Sequence, residues 1–458
     1  MNENFDAVIV GAGQAGPFLA ARLASSGRKV AIVERKFFGG TCVNAGCTPT
    51  KAMVASARAA YLARNGSKYG VHADSVRVNL GEVKARAQQI VLQSRNGQEG
   101  WLSKTANLTI FKGTASFESP HTLRVGDAVL QAPEIFLNVG ARPLIPELRG
   151  IESIPYFTST SMLELEEAPS HLVVIGGGSV GLEFAQMFRR FGSRVTVVDR
   201  NVRLAPQEDS DASQVIHDVF KAEDIEIRTG ANCIHFEKQG SGVLAGLECN
   251  QGAPHVTGSH VLLAVGRQPN TDDLNLQAAG IAADERGYIV VDDQLRTSAE
   301  GIYALGDCNG HGGFTHTSYN DFEIVADNLL AGASRRLSDR IPVRGLFIDP
   351  PLAHVGMTEG EVRKHGRAAL VAMRPMTRVS RAIEKGETFG FIKILVDAET
   401  RQILGATVFG TGADEAIHCT LTSMYARQPV SLLTHSMHIH PTVAELIPTT
   451  LGDLKPLV

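Results

Sequence analysis

Cys42 and Cys47 are the residues of this chain best suited to chemistry. Four residues separate them in the glycine-rich stretch 39–51, which leads into a predicted helix. Two thiols on such a turn can open and close as a disulfide, and a helix N-terminus favours the reactive thiolate. Burial as two ordinary packing residues is the alternative, and it is the commoner fate of a free cysteine. The spacing and the setting favour a redox-active pair.

A glycine motif precedes the two cysteines. Residues 6–10 predict an apolar strand, Gly11-Ala12-Gly13-Gln14-Ala15-Gly16 opens a helix, and a second strand over 30–33 ends at Glu34. Glycines at these positions let backbone N–H groups approach a pyrophosphate at the helix N-terminus, and the acidic residue can accept a hydrogen bond from a ribose hydroxyl. The order predicts a dinucleotide site with four candidate residues: Gly11, Gly13, Gly16 and Glu34.

The same pattern recurs in the middle of the chain. A strand over 172–175 is followed by Gly176-Gly177-Gly178-Ser179-Val180-Gly181, a helix through Phe191, and a strand over 195–198 that ends at Asp199. A second dinucleotide is therefore predicted. Its candidate binding residues are Gly176, Gly178, Gly181, Asp199 and Arg200.

Two dinucleotide sites in one chain indicate a tightly bound flavin and an exchangeable nicotinamide. Because the cysteine pair follows the first unit, we assign FAD to that unit and NAD(P)H to the second. Asp199 can accept a hydrogen bond from a free 2′-hydroxyl and repels a 2′-phosphate, whereas Arg200 and Arg203 can attract that phosphate. The pattern favours NADH and leaves NADPH open.

Three further segments carry turn or strand-end signals. Gly306-Asp307 ends a predicted strand and offers a carboxylate to a sugar hydroxyl, although Gly-Asp is also a common turn pair. The segments 138–143 and 264–270 are near-repeats that each follow a hydrophobic strand, and we interpret them as crossings between domains.

Composition sets the outer bounds. A chain of 458 residues is expected to form two to four domains. The two strand–glycine–helix units predict an overall α/β fold. Its formal net charge of -4 offers no basic surface for nucleic acid. The N-terminus lacks the pattern of a cleaved leader, and no apolar run reaches membrane-spanning length, so we expect a cytoplasmic protein without a membrane partner. No metal site is predicted.

Six cysteines are too few for a disulfide scaffold in a chain of this length. The four outside the close pair stand alone in the sequence, and we expect them to be packing residues. They are Cys233, Cys249, Cys308 and Cys419.

Together with the C-terminal segment His438-Ile439-His440-Pro441-Thr442-Val443-Ala444-Glu445, these motifs resemble the class I pyridine nucleotide-disulfide oxidoreductases. That family includes glutathione reductase, dihydrolipoamide dehydrogenase and mercuric reductase. The resemblance implies two Rossmann-like dinucleotide-binding domains and a C-terminal α+β dimerisation domain. It implies an FAD domain over 1–145 and 270–340, an NAD(P) domain over 146–269 and an interface domain over 341–458.

The resemblance also implies roles. Cys47 would be the thiolate beside the flavin, and Cys42 the thiol that attacks the substrate disulfide. Lys51 matches a lysine near the flavin, with Glu183 as its carboxylate partner. His440 would be the acid–base catalyst, oriented by Glu445, in a homodimer whose active site is shared across the interface. Further expected cofactor-binding positions are Gly40, Thr41, Lys51, Gly140, Asp307 and Gly266.

Within the family, the sequence favours a small disulfide or dithiol substrate, as in dihydrolipoamide dehydrogenase. Ser179 stands where glutathione reductases carry a tyrosine. The C-terminal residues 450–458 contain no cysteine pair of the kind that hands over mercury, and the His–Glu pair suits a leaving thiol. A mercuric reductase-like metal reductase, or a slow-turnover flavoprotein redox sensor or complex subunit, remains the alternative.

Overall fold

The computed structural model describes residues 2–240, 242–248 and 252–457. The chain divides into two compact units. The first comprises Met1–Ala52, Glu82–Leu144 and Gly266–Arg340, and the second comprises Met53–Gly81, Ile145–Val265 and Ile341–Val458.

The strands are short and are distributed over the whole chain. In chain order they are β1 (Asn2–Asn4), β2 (Ala7–Val10), β3 (Val30–Glu34), β4 (Leu108–Lys112), β5 (Ala115–Ser119), β6 (Thr122–Val125), β7 (Ala128–Gln131), β8 (Glu134–Leu137), β9 (Ala141–Pro143), β10 (Phe157–Thr158), β11 (His171–Ile175), β12 (Arg194–Val198), β13 (Glu226–Arg228), β14 (Asn232–Gln239), β15 (Gly242–Glu248), β16 (His255–Gly258), β17 (His260–Leu263), β18 (Arg267–Pro269), β19 (Ile302–Ala304), β20 (Val343–Leu346), β21 (Leu352–Gly356), β22 (Ala369–Pro375), β23 (Phe391–Asp397), β24 (Ile403–Phe409) and β25 (Lys455–Pro456).

The helices alternate with these strands in the two dinucleotide motifs. In chain order they are α1 (Gly16–Ser25), α2 (Gly40–Ala45), α3 (Cys47–Arg64), α4 (Leu80–Leu102), α5 (Ser159–Met162), α6 (Ser179–Phe191), α7 (Ser210–Ala222), α8 (Thr315–Ala331), α9 (Glu359–His365), α10 (Ser380–Glu384), α11 (Ala413–Tyr425), α12 (Ser431–Thr434) and α13 (Leu446–Leu451).

A five-stranded parallel sheet organises the first unit, in the order β19-β8-β2-β3-β4. All four residues of β2 are buried, as expected for a parallel strand that is covered on both faces. Leu19 and Leu23 of α1 pack with Ile9, Ile32 and residues of α8 in one apolar cluster. This core fixes the turn after β2, which is the first glycine motif.

The second unit contains a matching parallel sheet in the order β10-β17-β11-β12-β13. The strand β11 is followed by the second glycine motif and then by α6, most of whose residues are buried. A three-stranded antiparallel sheet, β14-β15-β16, packs its apolar residues with those of β11 and β17. The second motif is thus positioned by the same strand–turn–helix arrangement as the first.

The C-terminal part of the second unit is built on a six-stranded sheet, β20-β21-β24-β23-β22-β25, whose neighbours are all antiparallel. Residues of α11 and α13 pack with β23 and β24 in one buried cluster. Two parallel Rossmann-type sheets and a C-terminal antiparallel α+β region confirm the predicted fold class.

One local arrangement was not predicted. The near-repeats that follow β8 and β17 pair with each other as an antiparallel ribbon of β9 and β18. Arg142 of this ribbon forms a bidentate ion pair with Asp272, at 2.9 and 3.0 Å. Within the residues that the structure describes, no helix has the length and apolar character needed to cross a membrane.

Candidate functional site

The first glycine turn is packed too closely to admit side chains. Gly11 has a φ of +102°, and a Cβ added there would lie 2.3 Å from the carbonyl oxygen of Asn138. A Cβ at Gly16 would lie 2.2 Å from the Gly11 oxygen. The Glu34 carboxylate accepts hydrogen bonds from the backbone N–H groups of Ala12, at 2.8 Å, and Lys36, at 2.7 Å. This tight turn, at the N-terminus of α1 with an acidic residue beside it, fits a dinucleotide.

The second glycine turn has the same construction. Gly176 has a φ of +117°, and a Cβ added there would lie 2.3 Å from the Ala264 oxygen. A Cβ at Gly181 would lie 1.9 Å from the Gly176 oxygen, and Gly178 directly precedes α6. The Asp199 carboxylate accepts a hydrogen bond from the Gly177 N–H. This turn therefore fits a dinucleotide for the same reasons as the first.

The surroundings of Asp199 contain a contact that sequence reasoning missed. Its Oδ1 accepts hydrogen bonds from both the backbone N–H, at 2.6 Å, and the side-chain amide, at 2.7 Å, of Asn201. Asp199 is buried and Arg200 is exposed, while Arg203 donates to the Pro206 oxygen at 3.1 Å. Asn201 therefore fixes the carboxylate that the sequence assigns to the ribose.

The cysteine pair lies on two consecutive helices. Cys42 belongs to α2 and is half-buried, whereas Cys47 is the first residue of α3 and is exposed. Both side chains are thiols in the structure. The chain bends between the helices at Gly46, whose φ and ψ are -135° and -121°.

The cysteine segment rests directly on the first glycine turn. A Cβ at Gly40 would lie 2.8 Å from the Cα of Gly13, and the Gly39 N–H donates to the Ala12 oxygen at 2.9 Å. The Gln14 amide donates to the Gly39 oxygen, also at 2.9 Å. Two motifs separated in sequence thus form one site, in which the dithiol stands next to a dinucleotide turn.

A threonine from a helix that is distant in sequence contacts both sulfurs of the dithiol. Thr315 is the first residue of α8, and its hydroxyl donates to the Cys42 sulfur at 3.0 Å. The same oxygen lies 3.4 Å from the Cys47 sulfur. Hydrogen bonding to Cys47 and burial raise the pKa of the Cys42 thiol, and the hydrogen bond from Thr315 acts in the opposite direction.

Asn44 lies between the two cysteines and makes contacts, not predicted from the sequence, that hold the cysteine segment in place. Its amide donates to the backbone oxygens of Phe38, at 2.9 Å, and Gly40, at 2.8 Å. Arg95 of α4 donates to the Asn44 side-chain oxygen at 2.7 Å and lies over the Phe37 ring, 3.8 Å from its centre. These bonds hold the short helix α2, which has no buried residue of its own.

The other residues expected near the cofactors lie in the segments that the sequence indicated. Thr41 is exposed on α2, and its hydroxyl is 3.5 Å from the Ala141 oxygen. Lys51 lies on α3, one turn after Cys47. Glu183 is buried on α6 of the second unit, where its Oε1 accepts a hydrogen bond from the Phe347 N–H at 2.9 Å.

Asp307 follows β19 in a short 3-10 helix. Its carboxylate lies 3.4 Å from the guanidinium of Arg267. Burial raises the pKa of Asp307, and Arg267 opposes that shift. The backbone oxygen of Gly140 accepts from Asn270 and that of Gly266 accepts from Leu144, each at 3.0 Å, so these glycines belong to the framework around the ribbon.

His440 and Glu445 form a hydrogen-bonded pair. His440 Nδ1 lies 3.0 Å from each carboxylate oxygen of Glu445. The Thr442 hydroxyl accepts from the Glu445 N–H at 3.2 Å, and the Thr442 N–H donates back to the carboxylate at 3.4 Å. The imidazole is exposed and the carboxylate is half-buried, so Nε2 can face an incoming group while Glu445 fixes the tautomer.

The remaining cysteines differ in their surroundings. Cys308 is buried and Cys419 is half-buried, in agreement with a packing role. The expectation was wrong for Cys233, which is exposed on β14. Cys249 lies outside the described residues.

Comparison with known proteins places this architecture in a family. The sequence model for "Pyridine nucleotide-disulphide oxidoreductase" matches residues 5–321, and the model for the dimerisation domain of the same family matches residues 343–451. A probable pyridine nucleotide-disulfide oxidoreductase, RclA of Escherichia coli, is 36% identical, with 99% of each chain covered. A mercuric reductase of Streptomyces lividans is 35% identical, with 97% of this chain and 94% of the relative covered.

Among solved structures, the HOCl-induced flavoprotein disulfide reductase RclA from Escherichia coli superimposes with a TM-score of 0.89 at 33% identity. The match covers 98% of this chain and 99% of that structure. The second matching domain implies a homodimer. With FAD and a pyridine nucleotide as the cofactors that the family implies, this chain belongs to the pyridine nucleotide-disulphide oxidoreductases and is a flavoprotein disulfide oxidoreductase.

Proposed function

We propose that this enzyme is an FAD-dependent NAD(P)H:disulfide oxidoreductase whose Cys42–Cys47 pair reduces a small disulfide, or oxidises the corresponding dithiol. One observation carries the proposal. Two thiols share a hydroxyl partner beside a dinucleotide turn, and Cys47 stands at the N-terminus of α3. A dithiol in that position can cycle between reduced and oxidised forms.

The protein's own side chains are sufficient for the thiol–disulfide exchange steps. The Cys42 thiolate attacks one sulfur of the substrate disulfide, which forms a mixed disulfide and releases one substrate thiolate. Protonated His440 supplies the proton to that leaving thiolate, with Glu445 holding its imidazole. The Cys47 thiolate then attacks Cys42, which releases the second substrate thiolate and forms the Cys42–Cys47 disulfide.

When bound, FAD and NAD(P)H supply the two electrons that return this disulfide to the dithiol. We assign FAD to residues 1–145 with 270–340, where Gly11, Gly16 and Glu34 would hold it. We assign the nicotinamide to residues 146–269, where Gly176, Gly181 and Asp199 would hold it, and subunit contact to residues 341–458. The pairing of Lys51 with Glu183 remains a prediction.

Because one relative is a mercuric reductase, metal reduction remains the competing activity for this enzyme. The His440–Glu445 pair favours a thiol substrate, because protonation of a leaving thiolate is the step that such a pair assists. The deciding experiment assays purified enzyme with NADH and NADPH against lipoamide, a panel of low-molecular-weight disulfides and Hg(II). Turnover of Hg(II) without turnover of any disulfide would overturn the proposal, and slow turnover of the whole panel would favour the redox-sensor alternative.

NADH is expected to give a higher kcat/KM than NADPH, because the buried Asp199 carboxylate repels a 2′-phosphate. An unfavourable buried charge contact costs about 1–3 kcal/mol, or roughly 5- to 150-fold. Asp199→Asn should reduce this preference while keeping an acceptor for the Gly177 N–H. Arg200→Gln is the matched control, and a preference for NADPH that disappears in this variant would show that the arginines govern the site instead.

The shared active site has a direct test in mixed dimers. Coexpressed Cys42→Ser and His440→Gln subunits, each inactive alone, should form heterodimers with one intact site if the dyad of one subunit serves the dithiol of the other. Random pairing would then restore about a quarter of the wild-type sites. Purification through two different affinity tags isolates the heterodimer. An inactive heterodimer would show that each dyad serves its own subunit.

A further inference from the structure

The Thr315 hydroxyl contacts both redox sulfurs. It lies 268 residues from Cys47 and 273 residues from Cys42 in the sequence. The hydrogen bond to Cys42 is 3.0 Å long with the hydroxyl as donor, and the contact with Cys47 is 3.4 Å long with either atom able to donate. A single oxygen thus connects the two groups that must exchange roles during disulfide reduction.

A hydroxyl has one proton to donate and lone pairs with which to accept. It can therefore accept from the thiol of Cys47 while it donates to the thiolate of Cys42. We propose that Thr315 favours the negative charge on Cys42 by donating its hydrogen bond to that thiolate, and that it offers a path for the proton between the two sulfurs. This inference rests on the proposed function, because it assigns the two sulfurs to one redox pair.

The proton shift leaves all electrons in place. The Cys47 S–H bond breaks as its proton moves to Thr315 Oγ1, and the Thr315 O–H bond breaks as its proton moves to the Cys42 sulfur. The products are a Cys47 thiolate, a Cys42 thiol and an unchanged hydroxyl. In the reverse direction, the shift regenerates the Cys42 thiolate that attacks substrate.

Thr315 is held firmly enough for this role. The Thr317 hydroxyl donates to the Phe314 oxygen at 2.7 Å and accepts from the Phe314 N–H at 3.3 Å, which fixes the start of α8. One turn further on, the buried Asp321 accepts from the Gly306 N–H at 2.6 Å and from the Asn309 amide at 3.0 Å. The N-terminal end of α8 also favours a negative charge at the sulfurs.

Charged or titratable groups lie on three of the elements near the pair, namely α3, α4 and α8. On α3 there is Lys51, and on α4 there are Arg86, which donates to the Ala52 oxygen at 2.9 Å, and Arg95, which bonds to Asn44. His316 follows Thr315, and its ring stacks on that of Phe314 with centres 5.1 Å apart. These groups contribute a background field that is unchanged when the Thr315 hydroxyl alone is removed.

The test compares Thr315→Val with Thr315→Ser in the FAD-loaded enzyme after reduction. Iodoacetamide alkylation of Cys42 and Cys47 is followed separately by peptide mass spectrometry across pH 5–10. We expect Thr315→Val to slow alkylation of Cys42 about tenfold at pH 7 and to move its pH midpoint upward, because a hydrogen bond to the thiolate is lost. Thr315→Ser should restore the wild-type profile of both cysteines.

Thr105→Val is the matched control, because it removes a threonine hydroxyl that donates to the Trp101 oxygen at 3.1 Å. FAD content and the melting temperature are measured for every variant. If Thr315→Val does not fold, Thr315→Ala is compared with Thr315→Ser instead. An alkylation profile unaffected by loss of the Thr315 hydroxyl, or one that serine does not restore, overturns the inference. A shifted profile in an enzyme that reduces no disulfide would refute the proposed function and leave the role of Thr315 standing.

Discussion

Replacing Cys42 by serine is expected to reduce NADH-driven disulfide turnover on the order of 10³-fold or more, to the background of the assay. A serine hydroxyl at this position does not ionise near neutral pH and cannot form a mixed disulfide. Reduction of the bound flavin by NADH should persist, since that half-reaction does not require Cys42. The measurement is steady-state turnover together with a stopped-flow trace of flavin absorbance.

Cys47→Ser should lose turnover to the same extent but should leave a different product. Without the second sulfur, the mixed disulfide between Cys42 and one half of the substrate cannot be resolved. Intact-protein mass spectrometry should therefore detect one substrate adduct per subunit in Cys47→Ser and none in Cys42→Ser. The experiment distinguishes the roles of the two cysteines, because Cys47→Ser stops after the mixed disulfide has formed and Cys42→Ser stops before it.

The trapping experiment also decides which of the two sulfurs meets the substrate, because exposure and the family resemblance give opposite answers. In the structure Cys47 is the exposed sulfur and Cys42 is half-buried, so exposure alone favours Cys47 as the one that meets substrate. The family resemblance assigns that task to Cys42. An adduct found only in Cys42→Ser would reverse the assignment. Cys233→Ser, which removes an exposed cysteine from β14, should keep full turnover and serves as the control.

The sequence was sufficient to predict those parts of the site whose residues belong to one short βαβ unit. Glu34 and Asp199 were predicted beside their glycine turns because a right-handed βαβ unit brings the end of its second strand next to the turn after its first. The structure has both carboxylates bonded to that turn, to the N–H groups of Ala12 and Gly177. Spacing along the chain carried this information, since all the atoms concerned belong to one short supersecondary unit.

Contacts between distant segments could not be predicted in this way. Thr315 reaches the sulfurs only because α8 begins beside α2 and α3, and no spacing rule links residues 273 positions apart. The pairing of β9 with β18 and the bond from Arg95 to Asn44 have the same origin in tertiary packing. For Cys233 a general preference of cysteine for burial was applied to a strand position that faces solvent, where local context overrides the average.

His440→Gln is the second change with a large expected effect. General acid–base catalysis contributes about 10²–10⁴-fold, so disulfide turnover should fall by about that factor when the imidazole is lost. Glu445→Gln should cause a smaller loss, because an amide still accepts a hydrogen bond from Nδ1–H but no longer stabilises the protonated imidazole. Both variants should keep flavin reduction by NADH near the wild-type rate, measured by stopped flow.

The pH profile separates a catalytic His440 from a structural one. If the imidazole protonates the leaving thiolate, the plot of kcat/KM against pH for the disulfide should show a titration limb in the wild-type enzyme that is absent from His440→Gln. His438→Gln is the matched control, since His438 lies two residues earlier and its Nε2 is 3.4 Å from the Leu433 oxygen. Equal losses in both half-reactions of His440→Gln would indicate that the pair only supports the fold. Full disulfide turnover in that variant would remove the main argument against metal reduction, because it would leave no proton donor committed to a leaving thiolate.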